Sequence, residues 1–372
     1  MNIAIAVETD IDETEEVVLA EVAASGPGHR LTVREVIVET EDARSIVFDI
    51  PEASTEAFAY RPGQFLTLRV VLPGGSAVAR CYSLSSTPGL DAAPKITVKR
   101  IAGGAASGWL CESLEAGAQL DVLPPTGIFT VRDTSRDLLL FAGGSGITPV
   151  LSILRDALHN GTKRVILAYA NRDERSVIFA EELKHLAREF PDRLLTIHLL
   201  ESVQGLPSAT LLAGIARMAD LEGSTAFVCG PGPFMDAVER VLREAGMPRD
   251  HIVIERFVSL SADPFAAVDV EAVQAAEAAG DAIPLTVELD GEQHELAWPS
   301  GVTLLDFLRS KQIEAPFSCR EGACSACSCR VLSGSVSMIN NQILEKEDLD
   351  EGWILGCQSV VNGDEPVSVT YD

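Results

Sequence analysis

Basic residues are scarce in this chain, which carries 29 Lys and Arg against 55 Asp and Glu for a formal net charge of −26. A charge of this sign repels phosphate backbones and anionic lipids, so binding to nucleic acid or to a membrane surface is disfavoured. A basic protein partner would be attracted instead, and added salt would weaken that attraction. No Lys or Arg precedes Arg30, so the basic start of a secretory signal is also missing.

An uninterrupted apolar helix of membrane-spanning length is absent as well. The longest uncharged run, residues 138–154, is broken by Gly143, Gly144, Gly146 and Pro149. Cysteine is sparse too, since eight cysteines in 372 residues do not suggest a disulfide framework. Together these absences predict a cytoplasmic protein in a reducing compartment, with no membrane contact, and we expect it to be a monomer.

The length predicts two or three domains, because a domain typically holds about 150 residues. Residues 1–28 contain seven acids and no bases, which is typical of a mobile tail. Residues 29–134 are expected to form an antiparallel β-barrel, because β-type runs alternate there with Pro and Gly turns. These runs are residues 31–38, 45–50, 65–71, 95–100 and 119–122.

Strand and helix patterns alternate over residues 135–260, which predicts an α/β domain whose parallel sheet binds a ligand at the strand C-termini. The predicted strands are residues 138–142, 165–170 and 225–229, and the predicted helices are residues 150–158, 176–190 and 233–245. Residues 261–283, with nine Ala, five acids and no base, are interpreted as a linker that is partly helical or extended. Residues 284–372 then form a third domain with 5 basic and 15 acidic residues, a net charge of −10.

Four cysteines of the third domain have a spacing that indicates a metal centre. Cys319, Cys324, Cys327 and Cys357 stand at C-x4-C-x2-C-x29-C, the plant-type ferredoxin spacing for a 2Fe-2S cluster. A structural zinc site is the alternative, although zinc usually takes paired C-x2-C knuckles. No His lies in this segment, which argues against a Rieske centre. Cys329 is interpreted as a non-ligand that packs beside the site.

Two segments of the predicted barrel carry side chains suited to a flavin. They are residues 60–65, YRPGQF, and residues 80–85, RCYSLS. The guanidinium of Arg80 can form bidentate hydrogen bonds to a flavin phosphate. The ring of Tyr82 can lie on an isoalloxazine, and Ser83 can hydrogen-bond the ring edge near N5. Taken alone, the second segment would equally fit an ordinary half-buried strand.

With the cysteine spacing, these segments resemble the oxygenase reductases of the ferredoxin reductase superfamily over residues 31–372. The resemblance implies a multidomain chain: a flavin-binding barrel, an NAD(P)H-binding α/β domain and an α+β domain of the β-grasp, plant-type ferredoxin kind. It also implies FAD rather than FMN as the flavin. Hydride transfer from nicotinamide to flavin needs no protein base, so none of the six histidines is assigned a catalytic role.

Within the superfamily, residues 338–358 and 367–372 look most like the reductase component of the 3-ketosteroid 9α-hydroxylase type. The phenylacetyl-CoA epoxidase reductase is a more distant resemblance. One departure from the family pattern is Ser325, which stands where Gly often follows the second cysteine. The loop must therefore make the same turn with a Cβ present.

The resemblance assigns four further residues of the barrel to flavin binding. Gly104 and Ser107 belong to a segment that resembles the one wrapping the flavin diphosphate, and Val98 and Arg100 are assigned with them. A helix N-terminus at this point would offer partial positive charge to a phosphate. The alternative is a plain Gly-Ala loop in which the Ser107 hydroxyl only caps the helix that runs to about residue 114.

A glycine-rich turn joins the first predicted strand of the α/β domain to its helix. It contains Gly143, Gly144, Gly146, Thr148 and Pro149, and it is not the common G-x-G-x-x-G fingerprint. The glycines permit close approach of the backbone to a ligand, and Pro fits the first helical turn. A generic strand-to-helix turn is the alternative. The resemblance makes it the nicotinamide loop, with Thr148 close to both reacting rings.

A later strand of the same domain ends in Cys229-Gly230-Pro231. In the family this Cys-Gly pair lies beside the nicotinamide ring, which implies that Cys229 orients the hydride donor. A buried cysteine that only packs is the commoner case. Ser83, Thr148 and Cys229 are therefore the residues predicted to surround the reacting atoms.

For the adenosine end of the nucleotide, the sequence gives opposing signals. Asn171 and Arg172 follow a strand and are assigned to nucleotide binding, and a further arginine, Arg175, could help to hold a 2′-phosphate. Asp173 or Glu174 could instead hydrogen-bond a free 2′-hydroxyl and repel a phosphate. The closer family resemblance favours NADH, with NADPH as the alternative.

The three modules together predict electron transfer. NADH gives two electrons at once, a 2Fe-2S cluster accepts one, and a flavin can mediate between them. The predicted route runs from NADH to FAD, to the cluster and on to a Rieske-type terminal oxygenase. A diiron oxygenase is the alternative acceptor, and a non-redox nucleotide-binding protein with structural zinc is the alternative from another class.

Overall fold

The computed structural model describes residues 27–371. The predicted mobile tail at residues 1–28 therefore lies outside the described residues except for its last two positions. In the described part, no helix is long and apolar enough to cross a membrane.

The first domain is a six-stranded antiparallel barrel. Its elements are β1 (His29–Thr40), β2 (Ala43–Asp49), β3 (Phe65–Val71), β4 (Ala77–Ser83), β5 (Lys95–Lys99), α1 (Ala105–Glu112) and β6 (Gln119–Thr126). The strand order is β4-β3-β6-β1-β2-β5, and a bridge between Leu84 and Ile96 joins the two ends of the sheet. The alternating apolar residues of these strands fill the interior, where Phe48, Leu66 and Leu68 are fully buried.

The second domain is a five-stranded parallel sheet with helices on both faces. Its elements are β7 (Asp137–Gly143), α2 (Ile147–His159), β8 (Val165–Asn171), α3 (Ala180–Glu189), β9 (Leu194–Leu200), α4 (Glu201–Gln204), α5 (Ala209–Ala216), β10 (Ser224–Cys229), α6 (Gly232–Glu244) and β11 (Ile252–Glu255). The order β11-β10-β7-β8-β9 places the C-terminal ends of β7 and β10 side by side. Helices α2 and α3 cover one face, and α5 and α6 cover the other.

The predicted helix at residues 176–190 begins later than expected. Asp173 accepts a hydrogen bond from the Ser176 backbone and caps a short 3-10 turn, Glu174–Ser176. Phe179 then takes a left-handed conformation with φ of 62°, so the regular helix starts only at Ala180. A local side-chain cap has therefore outcompeted the helix pattern of this segment.

The last domain follows helix α7 (Val270–Ala278), which forms within the predicted linker. Its elements are β12 (Ala282–Leu289), β13 (Glu292–Pro299), α8 (Leu304–Ser310), β14 (Ser328–Ser333), β15 (Val336–Met338), α9 (Lys346–Asp350), β16 (Trp353–Leu355), β17 (Ser359–Val361) and β18 (Val367–Thr370). The main sheet has the order β13-β12-β18-β14-β16, with helix α8 packed in the same core. Val273 of α7 is buried in that core, so the linker helix packs on this domain.

Candidate functional site

The four motif cysteines are buried in a loop that donates hydrogen bonds to their sulfur atoms. Their exposed fractions range from 1% for Cys319 to 8% for Cys324. Amide groups that point at sulfur stabilise thiolate charge and tune the potential of an iron-sulfur cluster. The bonds are Glu321 N to Cys319 Sγ at 3.4 Å, Ala323 N to Cys319 Sγ at 3.3 Å, Cys319 N to Cys324 Sγ at 3.4 Å, Cys357 N to Cys327 Sγ at 3.5 Å and Gln358 Nε2 to Cys357 Sγ at 3.6 Å.

This donor set fits a binuclear cluster. The pKa of Cys319 lies below its usual value, because the thiols of Cys324 and Cys357 donate hydrogen bonds to its sulfur and two backbone amides add to them. Cys357 also lies within hydrogen-bond reach of Cys327, so the four thiols are close together, as four-thiolate coordination requires.

The cluster loop reaches its tight shape through left-handed residues. Arg320 has a φ of 57° and Gly322 has a φ of 79°. Ser325, where the sequence departs from the family pattern, also takes a positive φ of 52°. The Ser325 hydroxyl donates to the Cys324 carbonyl at 2.7 Å, a local bond that offsets the cost of this conformation.

Strand β4 brings the flavin motif to the cluster loop. Ser83 and Cys81 lie two residues apart on one face of the strand, and both line a cleft that also includes Cys324, a predicted cluster ligand. On the neighbouring strand, Thr67 forms a 2.6 Å hydrogen bond to Ser318, the residue before Cys319. The predicted flavin segment and the predicted cluster loop therefore meet at one place.

Arg80 and Tyr82 alternate with Cys81 and Ser83 along β4, so their side chains leave the opposite face of the strand, and both are half-buried. Arg80 Nη1 donates to the carbonyl of its neighbour Ala79 at 2.6 Å and to that of Leu260 at 3.0 Å. Tyr82 packs against the barrel core, and burial raises the pKa of its hydroxyl. The structure therefore does not bring these two side chains to the face of Ser83, and Arg80 also holds a segment from beyond the α/β domain.

The other predicted flavin residues of the barrel differ in what they can offer. Val98 is fully buried, so only its backbone could face a ligand. Arg100 is exposed and lies 3.3 Å from Glu112. Ser107 accepts a hydrogen bond from Ile101 N at 3.1 Å and does not cap α1 by its side chain. The helix start after Gly104 therefore keeps amide groups that a phosphate could bind.

Two glycine loops of the α/β domain pack backbone to backbone at the C-terminal edge of the sheet. A Cβ on Gly146 would lie 2.1 Å from the Cys229 carbonyl oxygen, and one on Gly143 would lie 2.8 Å from Pro231 Cδ. A Cβ on Gly230 would in turn lie 3.0 Å from Gly143 Cα. Only glycine allows these loops to approach so closely, and together they form a cradle beneath any ligand at this edge.

Thr148 and Cys229 lie at this cradle and are both buried. Thr148, in the first turn of α2, donates from its hydroxyl to the Ser145 carbonyl at 3.0 Å. Cys229 is fully buried, and burial raises the pKa of its thiol, with the Glu255 carboxyl as a second cause. The thiol therefore stays protonated and uncharged, which suits packing against a ring better than nucleophilic attack.

At the next strand end, Asn171 is buried, and its amide lies within reach of the Tyr169 hydroxyl without a well-aligned hydrogen bond. A buried amide with unused hydrogen-bonding capacity fits a ligand that supplies further bonds. Arg172 is exposed and donates to Asp42 of the barrel at 2.9 Å. The Asp173 carboxylate accepts from the Ser176 hydroxyl at 2.7 Å, so it is occupied by its own turn.

One residue of the site was missed by the sequence analysis. Glu255 ends β11 directly beside Cys229 of β10 and lines the cleft that contains Ser83 and Cys324. Burial raises the pKa of this carboxyl to about 8. The signal that could have found it is its place after the last strand of the parallel sheet, at the edge where ligands bind.

Comparison with known families divides the chain in the same way. Residues 30–131 match an oxidoreductase FAD-binding domain, residues 140–240 match an oxidoreductase NAD-binding domain, and residues 287–362 match a 2Fe-2S iron-sulfur cluster binding domain.

Over most of its length the chain is 54% identical to the ferredoxin reductase component of 3-ketosteroid-9-alpha-monooxygenase from Rhodococcus rhodochrous, with 88% of this chain and 93% of that protein covered. The chain belongs to the family of oxygenase ferredoxin reductases. A more distant relative is a component of the 1,2-phenylacetyl-CoA epoxidase of Escherichia coli K12, 33% identical over 89% of this chain and 94% of that protein.

Two solved structures share the fold. Phthalate dioxygenase reductase has a TM-score of 0.55 at 23% identity and covers 92% of this chain and 98% of its own. Full-length CYP116B46 from Tepidiphilus thermophilus has a TM-score of 0.63 at 26% identity, with 92% of this chain and 42% of that chain covered. The predicted fold class, the family, the enzyme class and the FAD, NAD and 2Fe-2S domains are thereby confirmed.

Proposed function

We propose that this ferredoxin reductase takes electrons from NADH and delivers them singly to a Rieske-type terminal oxygenase of the 3-ketosteroid 9α-hydroxylase kind. The observation that carries the proposal is the shared cleft of Ser83, Glu255 and Cys324, where the flavin motif, the α/β domain and a cluster ligand converge. A bound flavin accepts two electrons as hydride and releases them one at a time. One flavin site at this cleft could therefore both accept hydride at the α/β domain and pass single electrons to the cluster.

The residues of the chain act mainly by position in this proposal. Ser83 would offer its hydroxyl to the ring edge of a bound flavin, and Tyr82 would supply an aromatic ring to hold it. The glycine cradle lets the nicotinamide approach, with Thr148 and Cys229 beside it. Effective catalysis by such a site comes from proximity and orientation of the two rings.

Arg80, Val98, Arg100, Gly104 and Ser107 are proposed to hold the rest of the flavin. The cradle of Gly143, Gly144, Gly146, Gly230 and Pro231 is proposed to receive the nicotinamide half of the nucleotide. Cys319, Cys324, Cys327 and Cys357 are proposed as the cluster ligands, with Cys329, buried in β14, outside the ligand set.

NADH is the proposed nucleotide, with Asn171 and Arg172 near its adenosine end. Support comes from Arg172, whose guanidinium is engaged by Asp42 and is thus less available to a 2′-phosphate. The buried Asn171 amide offers neutral hydrogen bonds that suit a ribose hydroxyl.

The terminal oxygenase is the proposed partner. The similar protein from Rhodococcus is named as part of a monooxygenase system and the one from Escherichia coli as part of an epoxidase, which supports an oxygenase as the electron acceptor. A diiron oxygenase is the second candidate, favoured by the likeness to the epoxidase component. We also propose a cytoplasmic monomer whose domains divide near residues 134, 260 and 283.

Anaerobic titration of the purified protein tests the proposal. NADH should bleach the flavin bands and then the iron-sulfur bands, and NADPH should do so only at much higher concentration. Reconstitution with a steroid 9α-hydroxylase oxygenase should then support substrate turnover, whereas a diiron oxygenase should not. Failure of both nucleotides to bleach the spectrum would contradict the reductase function itself.

A further inference from the structure

The segment between the α/β domain and helix α7 is built into the interface between the barrel and the cluster loop. We call residues 258–266 the bridging segment. Leu260 and Phe265 are buried in one apolar cluster with Phe65 of the barrel and with Cys319 and Cys324 of the cluster loop. A segment packed on both sides can set the separation of the two domains.

On the barrel side, two arginines hold the bridging segment. Arg80 of the flavin motif donates to the Leu260 carbonyl at 3.0 Å. Arg69 donates to Asp263 at 2.8 Å, and its guanidinium lies 4.8 Å from the centre of the Phe265 ring. The cation over the aromatic face adds to the ion pair at this end.

On the cluster side, one carboxylate holds the same segment. Glu321 accepts hydrogen bonds from the Ser261 hydroxyl at 2.6 Å, from the Ser261 amide at 3.1 Å and from the Ala262 amide at 2.9 Å. The backbone amide of Glu321 itself donates to Cys319 Sγ at 3.4 Å. The same residue thus binds the bridging segment by its side chain and a cluster ligand by its backbone.

A carboxylate two residues from a thiolate ligand is electrostatically unfavourable, because like charges disfavour each other in a partly buried site. Three donors from the bridging segment offset that cost, since hydrogen bonds to a charged acceptor are the stronger kind. The Glu321 carboxylate is therefore better explained by its hydrogen bonds to the bridging segment than by its electrostatic effect on a cluster.

We propose that Glu321 is a positioning residue that fixes the cluster loop to the bridging segment and thereby sets the geometry between the flavin site and Cys324. The contacts run without a gap from Arg80 through Leu260, Ser261 and Glu321 to Cys319. This inference rests on the proposed electron route only as far as the cluster, so the terminal oxygenase plays no part in its test.

Glu321→Gln distinguishes a positioning role from an electrostatic role, because the two roles predict opposite changes in the rate of flavin-to-cluster electron transfer. Loss of a negative charge beside the cluster makes reduction easier, so a purely electrostatic residue would give faster flavin-to-cluster transfer. A positioning residue gives slower transfer despite the more favourable potential. Anaerobic stopped-flow mixing with NADH should show the flavin-to-cluster phase slowed about tenfold, because weakening one hydrogen bond to a charged group lowers the population of the correctly positioned loop by about that factor.

A second readout does not depend on electron transfer. In the loaded protein, hydrogen exchange at the amides of Ser261 and Ala262 should be faster in Glu321→Gln than in wild type, since both amides donate to this carboxylate. Ser261→Ala should reproduce part of both effects without changing any charge. Glu314→Gln, which removes an exposed acid from the same domain, is the matched control and should leave exchange and transfer unchanged.

Unchanged or faster flavin-to-cluster transfer in Glu321→Gln, together with wild-type exchange at residues 261 and 262, would overturn the proposal. Equal slowing in Glu314→Gln would do the same, because the slowing would then not depend on the hydrogen bonds that Glu321 makes to the bridging segment. Absence of any NADH-driven phase in the wild-type protein would instead contradict the reductase function, so the two failures are distinguishable.

Discussion

The C-terminal domain touches its neighbours through two interfaces of opposite character. Against the barrel, the cluster loop buries Cys319, Ala323 and Cys324 beside Phe65 in an apolar contact with few exposed atoms. Against the α/β domain, the contact is ionic and half-exposed, with Arg249 bound to Glu345 at 2.9 Å and to Asp348 at 3.3 Å. We therefore expect the apolar interface to hold the cluster loop more firmly than the ionic interface does, because partly exposed ion pairs contribute little.

Breaking the cluster at the apolar interface should have the largest effect. Cys324→Ser should abolish electron delivery to an oxygenase, because one iron loses a thiolate ligand. NADH-to-ferricyanide activity should persist, since it needs only the flavin and the α/β domain. Comparing the two activities in the same preparation checks this prediction.

Cys111→Ser is the matched control, because this half-buried barrel cysteine is not a proposed ligand. It should leave both activities intact. Parallel loss of both activities in Cys324→Ser would show that ferricyanide reduction by the barrel and the α/β domain depends on the C-terminal domain.

Flavin reduction by NADH should depend on the glycine cradle of the α/β domain and not on the ion pairs between this domain and the C-terminal domain. In Gly146→Ala the new Cβ would meet the Cys229 carbonyl oxygen at 2.1 Å and would force the loops apart. Misplacement of a reacting ring by about 1 Å can cost about a hundredfold in rate. Stopped-flow reduction by NADH should slow by about that factor, with flavin content unchanged.

Gly214→Ala in helix α5 is the control for this prediction, because its Cβ would meet no atom within 4 Å. It should react at the wild-type rate and gain slightly in stability from the better helix former. A normal reduction rate in Gly146→Ala would mean that nicotinamide binds elsewhere.

Glu255 lies where the α/β domain reaches the apolar interface, and it should make stability depend on pH. Its folded pKa of about 8 lies above the unfolded value of 4.5. Between these values the unfolded chain binds fewer protons, so stability falls as pH rises from about 4.5 to about 8. Glu255→Gln should flatten this part of the profile of Tm against pH, and an unchanged slope would contradict the assignment.

The ionic interface should give the smallest effect. Arg249→Ala removes ion pairs to Glu345 and Asp348 that are partly exposed, and such pairs contribute no more than about 1 kcal/mol. Thermal unfolding at low salt should show a small decrease, and high salt should remove the difference. Arg240→Ala, at an exposed position of α6, is the control, and an effect of Arg249→Ala that persists in high salt would refute the ionic interpretation.

Short-range patterns were the most predictable part of the site. Three of the proposed cluster ligands lie within nine residues, so their spacing alone restricts the metal that they can hold. The flavin motif and the glycine loops are also local sequence patterns, from which the FAD and NAD domains could be predicted, while the roles of their single residues stay predictions. By contrast, the start of α3 was misplaced, since a side-chain cap at Asp173 competes with the helix pattern.

Contacts between distant segments could not be predicted in the same way. The steric need for Gly146 comes from Cys229, more than eighty residues later, and Glu255 gains its raised pKa only from burial. Most of the bridging segment falls within residues 261–283, which were interpreted as a linker because they are rich in Ala and acidic residues and contain no Lys or Arg. Its role depends on partners in two other domains that its own composition does not reveal.

By itself, the sequence determined which groups this reductase carries: the cysteine spacing, the flavin motif and the glycine loops are local patterns whose chemistry follows from residue type. Only the tertiary structure decided where those groups meet, because burial, close backbone approach and long-range hydrogen bonds arise when separate segments pack together. The cleft of Ser83, Glu255 and Cys324 is such a product of packing, and so is the link from Arg80 to Glu321 across the bridging segment.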